Sequence, residues 1–246
     1  MSMKTVCLWS GPRNVSTALM YSFAQRPDTR VVDEPLYGHF LAVTGAGHPG
    51  RDEVLAATDC DGDAVMRRLL SEAREGEGVL FLKQMAHHLV GIDTAFLSSM
   101  QNVLLIRDPR QMLPSLTIQL PGATLADTGL KRQWELYEAL LANGERPAVI
   151  DSRQLLLDPA TVLRRLCAHL GIPFFDGMLA WDAGPRPEDG VWAAYWYHSL
   201  RESTGFSPYV EKTGFPAELE PLCAECVPWY DRLFAHAIKV ENGGPS

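Results

Sequence analysis

Two groups of side chains in this 246-residue sequence have the types and spacing that bind anions. The first group is the loop Gly11-Pro12-Arg13-Asn14-Val15-Ser16-Thr17, which follows an apolar, β-prone run and leads into a helical pattern. Backbone N–H groups at a helix N-terminus, two hydroxyls and one guanidinium can converge on a tetrahedral anion. The alternative is an ordinary helix start, in which Ser16 or Thr17 only caps the first backbone N–H groups.

The second group begins where a buried strand is predicted to end. Residues 102–106 read as a parallel strand, Arg107 follows it, and Pro109 is well placed to begin a helix that continues through Ser115. Open α/β sheets bind ligands at the carboxyl ends of their strands, which is where Arg107 falls. Arg107 and Ser115 are separated by a little over two helical turns, so both can face one phosphate. The two groups together favour a nucleotide-phosphate site over a simple helix cap.

The first loop is not a Walker A loop. That motif places Gly, Lys and Ser or Thr at the positions where this chain has Ser16, Thr17 and Ala18. The lysine and the magnesium-binding hydroxyl of P-loop kinases are therefore missing there. A small-molecule P-loop kinase remains one alternative function.

These segments resemble the sulfotransferase superfamily that uses 3′-phosphoadenosine 5′-phosphosulfate (PAPS). The 5′-phosphosulfate loop of that family has a basic residue, small residues and then Thr-Thr or Ser-Thr, similar to residues 13–17. Its 3′-phosphate site is an Arg at a strand end and a Ser eight residues later, as Arg107 and Ser115 stand here. Residues 151–173 are similar to the family's strand, Asp-Pro, helix and Leu-Gly segment.

The resemblance implies a sulfotransferase that moves the sulfuryl group of PAPS to a hydroxyl or amine of a small molecule. The product nucleotide would be adenosine 3′,5′-bisphosphate (PAP), and no metal would be needed. A non-catalytic nucleotide-binding relative, which keeps the loops and loses the base, is a further alternative. The implied cofactor-binding residues are Gly11, Pro12, Arg13, Asn14, Val15, Ser16, Thr17, Arg107 and Ser115.

Two features depart from the family pattern. Val15 stands where many members carry glycine, and a β-branched residue resists positive φ, so the loop must differ in backbone or never need that conformation. The late Arg-Lys-Gly loop of cytosolic members, which closes over the 3′-phosphate, is absent. Residues 203–206 occupy the comparable place, and no binding role is assigned to them.

Sulfuryl transfer needs cations near the transferred group and the bridging oxygen, and protein cations can replace magnesium because neutral SO₃ moves. Arg13 is the first candidate cation. Lys83 is the second, because it ends the apolar strand 79–83 at the rim of the sheet. The alternative for Lys83 is a solvated side chain.

The base has three candidates. Glu34 ends the second strand on the same rim, and Pro35 predicts an extended, exposed turn there. The alternative for Glu34 is a turn-capping or ion-paired carboxylate. His87 and His88 are the rivals, because an imidazole with a pKa near neutral suits deprotonation of a hydroxyl. Met85 stands where cytosolic members carry histidine.

Composition predicts one soluble, cytoplasmic domain. The chain is 46% hydrophobic and no linker divides it, so we expect a single domain over residues 1–240 and a disordered tail over 241–246. No apolar run approaches the ~20 residues of a membrane helix, and no signal sequence begins the chain. The net charge of −8 argues against a nucleic-acid surface. The spacing of Cys223 and Cys226 favours core packing over zinc or redox use.

Strands that alternate with helices predict an α/β, three-layer P-loop-like fold. We expect a central, mainly parallel sheet of about five strands, near 4–10, 30–33, 78–83, 102–107 and 147–151, and a helical C-terminal third. The acceptor pocket would come from the segments between the second and third strands and from the C-terminal third, with its aromatic cluster at 192–197. The alternative, favoured for most of these aromatics, is that they pack the C-terminal helices onto the sheet. The expected partner is a small-molecule acceptor, with no nucleic acid and no membrane, and a homodimer is left open.

Overall fold

A six-stranded sheet in the order β2-β3-β1-β4-β5-β6 forms the centre of the molecule, and all neighbouring strands run parallel. The structure is a computed structural model and describes residues 3–197 and 200–240. The α/β fold class is confirmed, with one strand more than predicted. The strands are β1 (Lys4–Ser10), β2 (Thr29–Asp33), β3 (Val79–Met85), β4 (Gln101–Ile106), β5 (Ala148–Asp151) and β6 (Ala237–Ile238).

Helices cover both faces of the sheet. In the described part of the chain, no helix is both long enough and apolar enough to cross a membrane. The predicted tail 241–246 lies outside the described residues. The helices are α1 (Ser16–Ala24), α2 (Tyr37–Thr44), α3 (Arg51–Ala57), α4 (Gly62–Glu75), α5 (Pro109–Gln119), α6 (Leu125–Thr128), α7 (Leu130–Ala142), α8 (Ser152–Leu157), α9 (Pro159–His169), α10 (Ala193–Trp196) and α11 (Glu220–Phe234).

The central strand shows how alternation builds the three layers. Side chains of a strand point to opposite faces in turn, so Val6 and Leu8 of β1 face one layer and Cys7 and Trp9 face the other. Val6 and Leu8 belong to the core shared with α1 and α9. Cys7 and Trp9 belong to the core shared with α4 and α7. Both faces of β1 are therefore buried, as in parallel sheets generally.

The last third of the chain is less helical than expected. Its one long helix is α11, and residues 170–192 contain only a short 3₁₀ turn at Asp176–Leu179. Pro185 and Pro187 flank Arg186 just after Gly184. Proline removes a backbone donor and blocks a helix, so this stretch crosses the surface as an irregular segment.

The topology brings several loops to one edge of the sheet. The chain leaves β1 toward β2 on one side and leaves β4 toward β5 on the other, so the carboxyl ends of β1 and β4 flank a crevice. Buried Gln133 of α7 bridges this crevice, because its Nε2 donates to the carbonyls of Trp9 and Leu105 at 2.9 Å each. The predicted phosphate loop and Arg107 both emerge there.

Gly78 precedes the strand that carries Lys83, and we expect it to resist substitution. Its φ is 92°, and a Cβ there would lie 2.2 Å from the carbonyl oxygen of Asp28, which accepts the bond from Val79 N that begins β3. Gly144 has a similar φ of 81° but open space around it. Gly78→Ala should lower the free energy of unfolding by more than about 2 kcal/mol, and Gly144→Ala by about 1 kcal/mol. Urea denaturation measures both, and equal losses would contradict this account.

Candidate functional site

The predicted phosphate loop connects β1 to α1 at the carboxyl edge of the sheet. Arg13 takes a positive φ of 52°, whereas Val15 has an ordinary φ of −89°. Asn14 holds the turn, since its Nδ2 donates to Leu105 O at 3.1 Å and its Oδ1 accepts from Val15 N at 2.8 Å. The left-handed conformation therefore falls on Arg13, and this loop does not need glycine at position 15.

The first turn of α1 is left open for a ligand. Val15 is the N-cap residue and makes no side-chain capping bond, so neither Ser16 nor Thr17 is the N-cap. Within the described residues, neither hydroxyl has a hydrogen-bond partner, and both line the cavity at this edge. The alternative in which Ser16 or Thr17 caps the helix is therefore wrong. Free N–H groups and two hydroxyls at a helix N-terminus are groups that can bind an anion.

A cavity of about 860 Å³ opens at the carboxyl edge and gathers the predicted residues. Its wall combines polar groups from the strand ends with aromatic rings from α2 and α10. Every residue predicted for the site lines it, although their roles stay predictions: Gly11, Pro12, Arg13, Asn14, Val15, Ser16, Thr17, Glu34, Lys83, His87, His88, Arg107 and Ser115.

Three cations meet at one part of this cavity. Arg107 Nη1 donates to the carbonyl oxygen of Arg13 at 2.6 Å. This bond links the two groups of residues that are predicted to bind phosphate. Burial and the charge of Arg13 lower the pKa of Arg107, and burial together with both arginines lowers the pKa of Lys212. Among the described residues, none of the three forms an ion pair. Crowded cations that form no ion pair attract a polyanion.

Lys212 is a site residue that the sequence reasoning missed. Its backbone N–H donates to Gln111 Oε1 at 3.0 Å, and its Nζ donates to Gln111 O at 3.1 Å, so it lies against α5, the helix that carries Ser115. The signal in the sequence is a lysine two residues before a glycine, Gly214, which is a turn-forming residue. In the structure Gly214 has a φ of 73°. The late part of the chain therefore does bring a cation to the cavity, although not at residues 203–206.

Lys83 is not a solvated strand end. β3 continues to Met85, and the Lys83 side chain is 1% exposed. Its Nζ donates to Asp33 Oδ1 at 2.9 Å, to Glu34 Oε1 at 2.5 Å and to the Tyr197 hydroxyl at 2.6 Å. An ammonium has three N–H donors, so all of them are occupied.

Glu34 differs from the extended, exposed turn that was predicted. Its φ is 37°, in the left-handed region, and its side chain is 11% exposed. The reason is a pair of contacts from β3, because Glu34 N donates to Lys83 O at 2.8 Å while the carboxylate accepts from Lys83 Nζ. Pro35 does exclude a helical conformation at Glu34, as expected, but long-range bonds select the left-handed one.

The carboxylates and Lys83 shift one another's protonation. Burial raises the pKa of Glu34, and Lys83 offsets only part of that effect. Burial alone would lower the pKa of Lys83, but Asp33 and Glu34 raise it well above its ordinary value. Lys83 therefore stays charged, while Glu34 is a better proton acceptor than a solvated glutamate.

His87 and His88 follow β3 in a short 3₁₀ turn and line the cavity. Burial lowers the pKa of both rings, for His87 to about 4 with a contribution from His48. The His88 ring stacks on Tyr37 at 5.1 Å and on Phe40 at 4.8 Å between centroids. Neither imidazole has the near-neutral pKa that made it a rival base.

The C-terminal segment closes the other side of Lys83. Asp33 Oδ2 accepts from Tyr197 OH at 2.8 Å and from Trp192 Nε1 at 3.1 Å.

Cys223 and Cys226, in contrast, are buried between α11 and α5, where they pack with apolar residues as expected.

Tyr197→Phe should destabilise the protein, because it removes a hydroxyl that accepts from Lys83 and donates to Asp33 in a buried network. We expect the free energy of unfolding to fall by about 1–3 kcal/mol. Tyr195→Phe is the matched control, since its hydroxyl bonds to Glu53 at the surface. Urea denaturation should show little change for the control. Similar losses in both variants would mean that the Lys83 network does not hold the segment.

Comparison with known proteins agrees with this architecture. The sequence profile described as a sulfotransferase domain matches residues 3–237. The sulfotransferase domain from the curacin biosynthetic pathway aligns over 92% of this chain and 98% of its own, with a TM-score of 0.50 and 15% identity. The sulfotransferase domain from the Synechococcus PCC 7002 olefin synthase aligns over 96% of each chain, with a TM-score of 0.54 and 16% identity. These two likenesses concern the fold.

Two longer proteins of Arabidopsis thaliana are similar in sequence. Branched-chain-amino-acid aminotransferase-like protein 1 is 44% identical over 233 residues, which cover 93% of this chain and 41% of that protein. Branched-chain-amino-acid aminotransferase-like protein 2 is 40% identical over 236 residues, which cover 95% and 42%. The chain thus spans about two fifths of these relatives, whose names refer to the longer proteins. With the profile match over nearly its whole length, the chain belongs to the sulfotransferase domain family.

Proposed function

We propose that the protein transfers the sulfuryl group of PAPS to a hydroxyl or amine of a small-molecule acceptor. The observation that carries the proposal is one cavity lined both by two sets of anion-binding groups and by a buried carboxylate. Two phosphate sites fit a nucleotide with groups at its 5′ and 3′ positions. A volume of about 860 Å³ leaves room for an acceptor beside it.

Different residues of the chain would bind the two ends of PAPS, the sulfuryl donor. The N-terminus of α1, the hydroxyls of Ser16 and Thr17, and Arg13 would hold the 5′-phosphosulfate. Arg107, Ser115 and Lys212 would hold the 3′-phosphate, where neither cation forms an ion pair within the described residues. Because cations and backbone N–H groups supply the positive field, the missing Walker lysine fits a transfer without magnesium.

Glu34 is the proposed base. Lys83 contacts Oε1, which orients the carboxylate, and Oε2 is then the oxygen that accepts the proton of the acceptor. The raised pKa of Glu34 makes that transfer easier. Lys83 acts mainly through Glu34, because its three N–H groups are occupied, and Arg13 is the cation that contacts the sulfuryl oxygens.

The cysteines, rather than the site, support the proposal of a cytoplasmic protein. All five are free thiols in the structure. Unpaired cysteines fit a reducing compartment such as the cytoplasm.

PAP should raise the melting temperature in the absence of metal, because both phosphate sites are built from protein groups. Differential scanning fluorimetry with PAP, with ATP plus Mg²⁺ and with AMP measures the preference. Equal or larger stabilisation by ATP plus Mg²⁺ would favour the kinase alternative.

Two variants extend the same assay to the 3′ site. Arg107→Ala and Lys212→Met should each weaken PAP by roughly 10- to 150-fold, the effect of about 1.5–3 kcal/mol for a charge-assisted contact. Adenosine 5′-phosphosulfate, which lacks the 3′-phosphate, should bind almost as before. Lys131→Met, at an exposed lysine near Glu135, is the control. The Lys212 variant decides the test, because Arg107 also contacts the phosphate loop and its loss can affect both nucleotides. Equal losses of affinity for both nucleotides in Lys212→Met would argue against a 3′ site.

Glu34→Gln should abolish proton acceptance while it keeps shape and hydrogen bonding. We expect PAP to bind as in the wild type and turnover with an aliphatic alcohol to fall by roughly 10²- to 10⁴-fold. A phenol of low pKa loses its proton easily and should be impaired less. Near-normal turnover of the alcohol by Glu34→Gln, with loss in His87→Ala or His88→Ala, would move the base to that histidine.

A further inference from the structure

The cavity is lined by an imidazole that has no hydrogen-bond partner among the described residues. His87 lines the cavity, its Nδ1 is buried without a hydrogen bond, and among the described residues no bond reaches its Nε2. Its ring is held edge-to-face against Phe40, at 5.2 Å between centroids, and against His88 at 4.7 Å. A polar ring that is fixed in place and unpaired on both nitrogens points to a ligand contact.

The position of the ring decides which nitrogen carries the proton. Nδ1 is shut off inside the protein, so the edge that carries Nε2 is the edge that meets the cavity. A buried N–H without an acceptor is rarer in proteins than a buried acceptor without a donor. The proton of the neutral ring therefore resides on Nε2, and His87 presents a hydrogen-bond donor to the cavity.

The charges around His87 indicate whether the ligand group that it contacts is charged or neutral. The neighbours that influence its ionisation are His48 and Asp127, and burial keeps the ring neutral. Lys83, whose charge acts on the neighbouring His88, has its three donors occupied by Asp33, Glu34 and Tyr197. The unpaired cations Arg13, Arg107 and Lys212 belong to the phosphate sites. Among the described residues, the cavity wall holds no further unpaired cation that could neutralise an anionic group near His87, while Glu34 and Asp127 line the same cavity.

On the basis of the proposed function, we infer that the acceptor carries a second, uncharged oxygen that accepts a hydrogen bond from His87 Nε2. The class is a hydroxyl compound with a carbonyl, amide or ether oxygen, held against the rings of Tyr37 and Phe40. His87 is then a specificity-determining residue, and Glu34 keeps the role of base.

Binding to the complex with PAP tests the inference, because a dead-end complex separates recognition from reactivity. The probes are the 2-, 3- and 4-isomers of hydroxyacetophenone, ethylphenol and hydroxybenzoate, titrated by calorimetry. In the wild type, at least one hydroxyacetophenone should bind roughly tenfold tighter than the corresponding ethylphenol isomer. Ethylphenol lacks the carbonyl oxygen, so it leaves the N–H of His87 without an acceptor. His87→Phe should abolish that preference, and His87→Gln, which keeps an N–H donor, should restore part of it.

Several outcomes would overturn the inference. They are a preference that survives in His87→Phe, tightest binding by a hydroxybenzoate, or no binding by any hydroxyacetophenone while PAP binds normally. Failure of the wild type to bind PAP would instead overturn the proposed function. Independently of any acceptor, ¹⁵N NMR at pH 7 should find His87 neutral with its proton on Nε2, and a proton on Nδ1 would contradict the inference.

Discussion

The interaction on which the site depends is the buried ammonium of Lys83 with its three oxygen partners. A buried charge is tolerated only when it is paired and its donors are satisfied. Asp33 and Glu34 come from the end of β2, and Tyr197 comes from the C-terminal segment more than a hundred residues later. Lys83, near the carboxyl end of β3, therefore joins Glu34, the neighbouring strand β2 and the segment that covers the cavity. Loss of the Tyr197 hydroxyl would leave a buried N–H without an acceptor, and loss of either carboxylate would remove an ion-pair partner of Lys83.

The cavity is divided by charge. Arg13, Arg107 and Lys212 crowd together and form no ion pair within the described residues, while Glu34, Asp33 and neutral imidazoles occupy the side near α2. A polyanionic donor and an uncharged acceptor fit this division. The parallel sheet makes it geometrically simple, because its strands deliver their following loops to one edge.

Two residues of the site have strained backbones. Arg13 and Glu34 are the non-glycine residues with positive φ in the described ranges 3–197 and 200–240, and both line the cavity. Such conformations cost about 1–3 kcal/mol each and persist where the surroundings over-determine them. The Arg13 carbonyl is held by Arg107, and Glu34 is held by Lys83 from both backbone and side chain. The strain thus places one cation and one carboxylate toward the same space.

Much of the frame could be read from the sequence, because it depends on local patterns. Alternation of strands and helices, the turn at Gly11-Pro12 and the helix start at Pro109 are encoded by neighbouring residues, and they predicted the fold class and the edge where the site lies. The motif at residues 13–17 and the pair Arg107 and Ser115 were likewise visible, because each motif occupies one short segment. These local signals also carried the family resemblance.

The state of each functional group was decided by tertiary structure. The sequence placed Glu34 in an exposed turn and Lys83 at the rim of the sheet, but β3 lies beside β2 and Tyr197 closes over both, so that the two side chains are buried and paired. Lys212 reached the cavity only because its segment packs on α5. His87 became a neutral donor through burial from several elements. Burial, pairing and pKa depend on neighbours that are distant in the chain, and a local pattern contains no information about those neighbours.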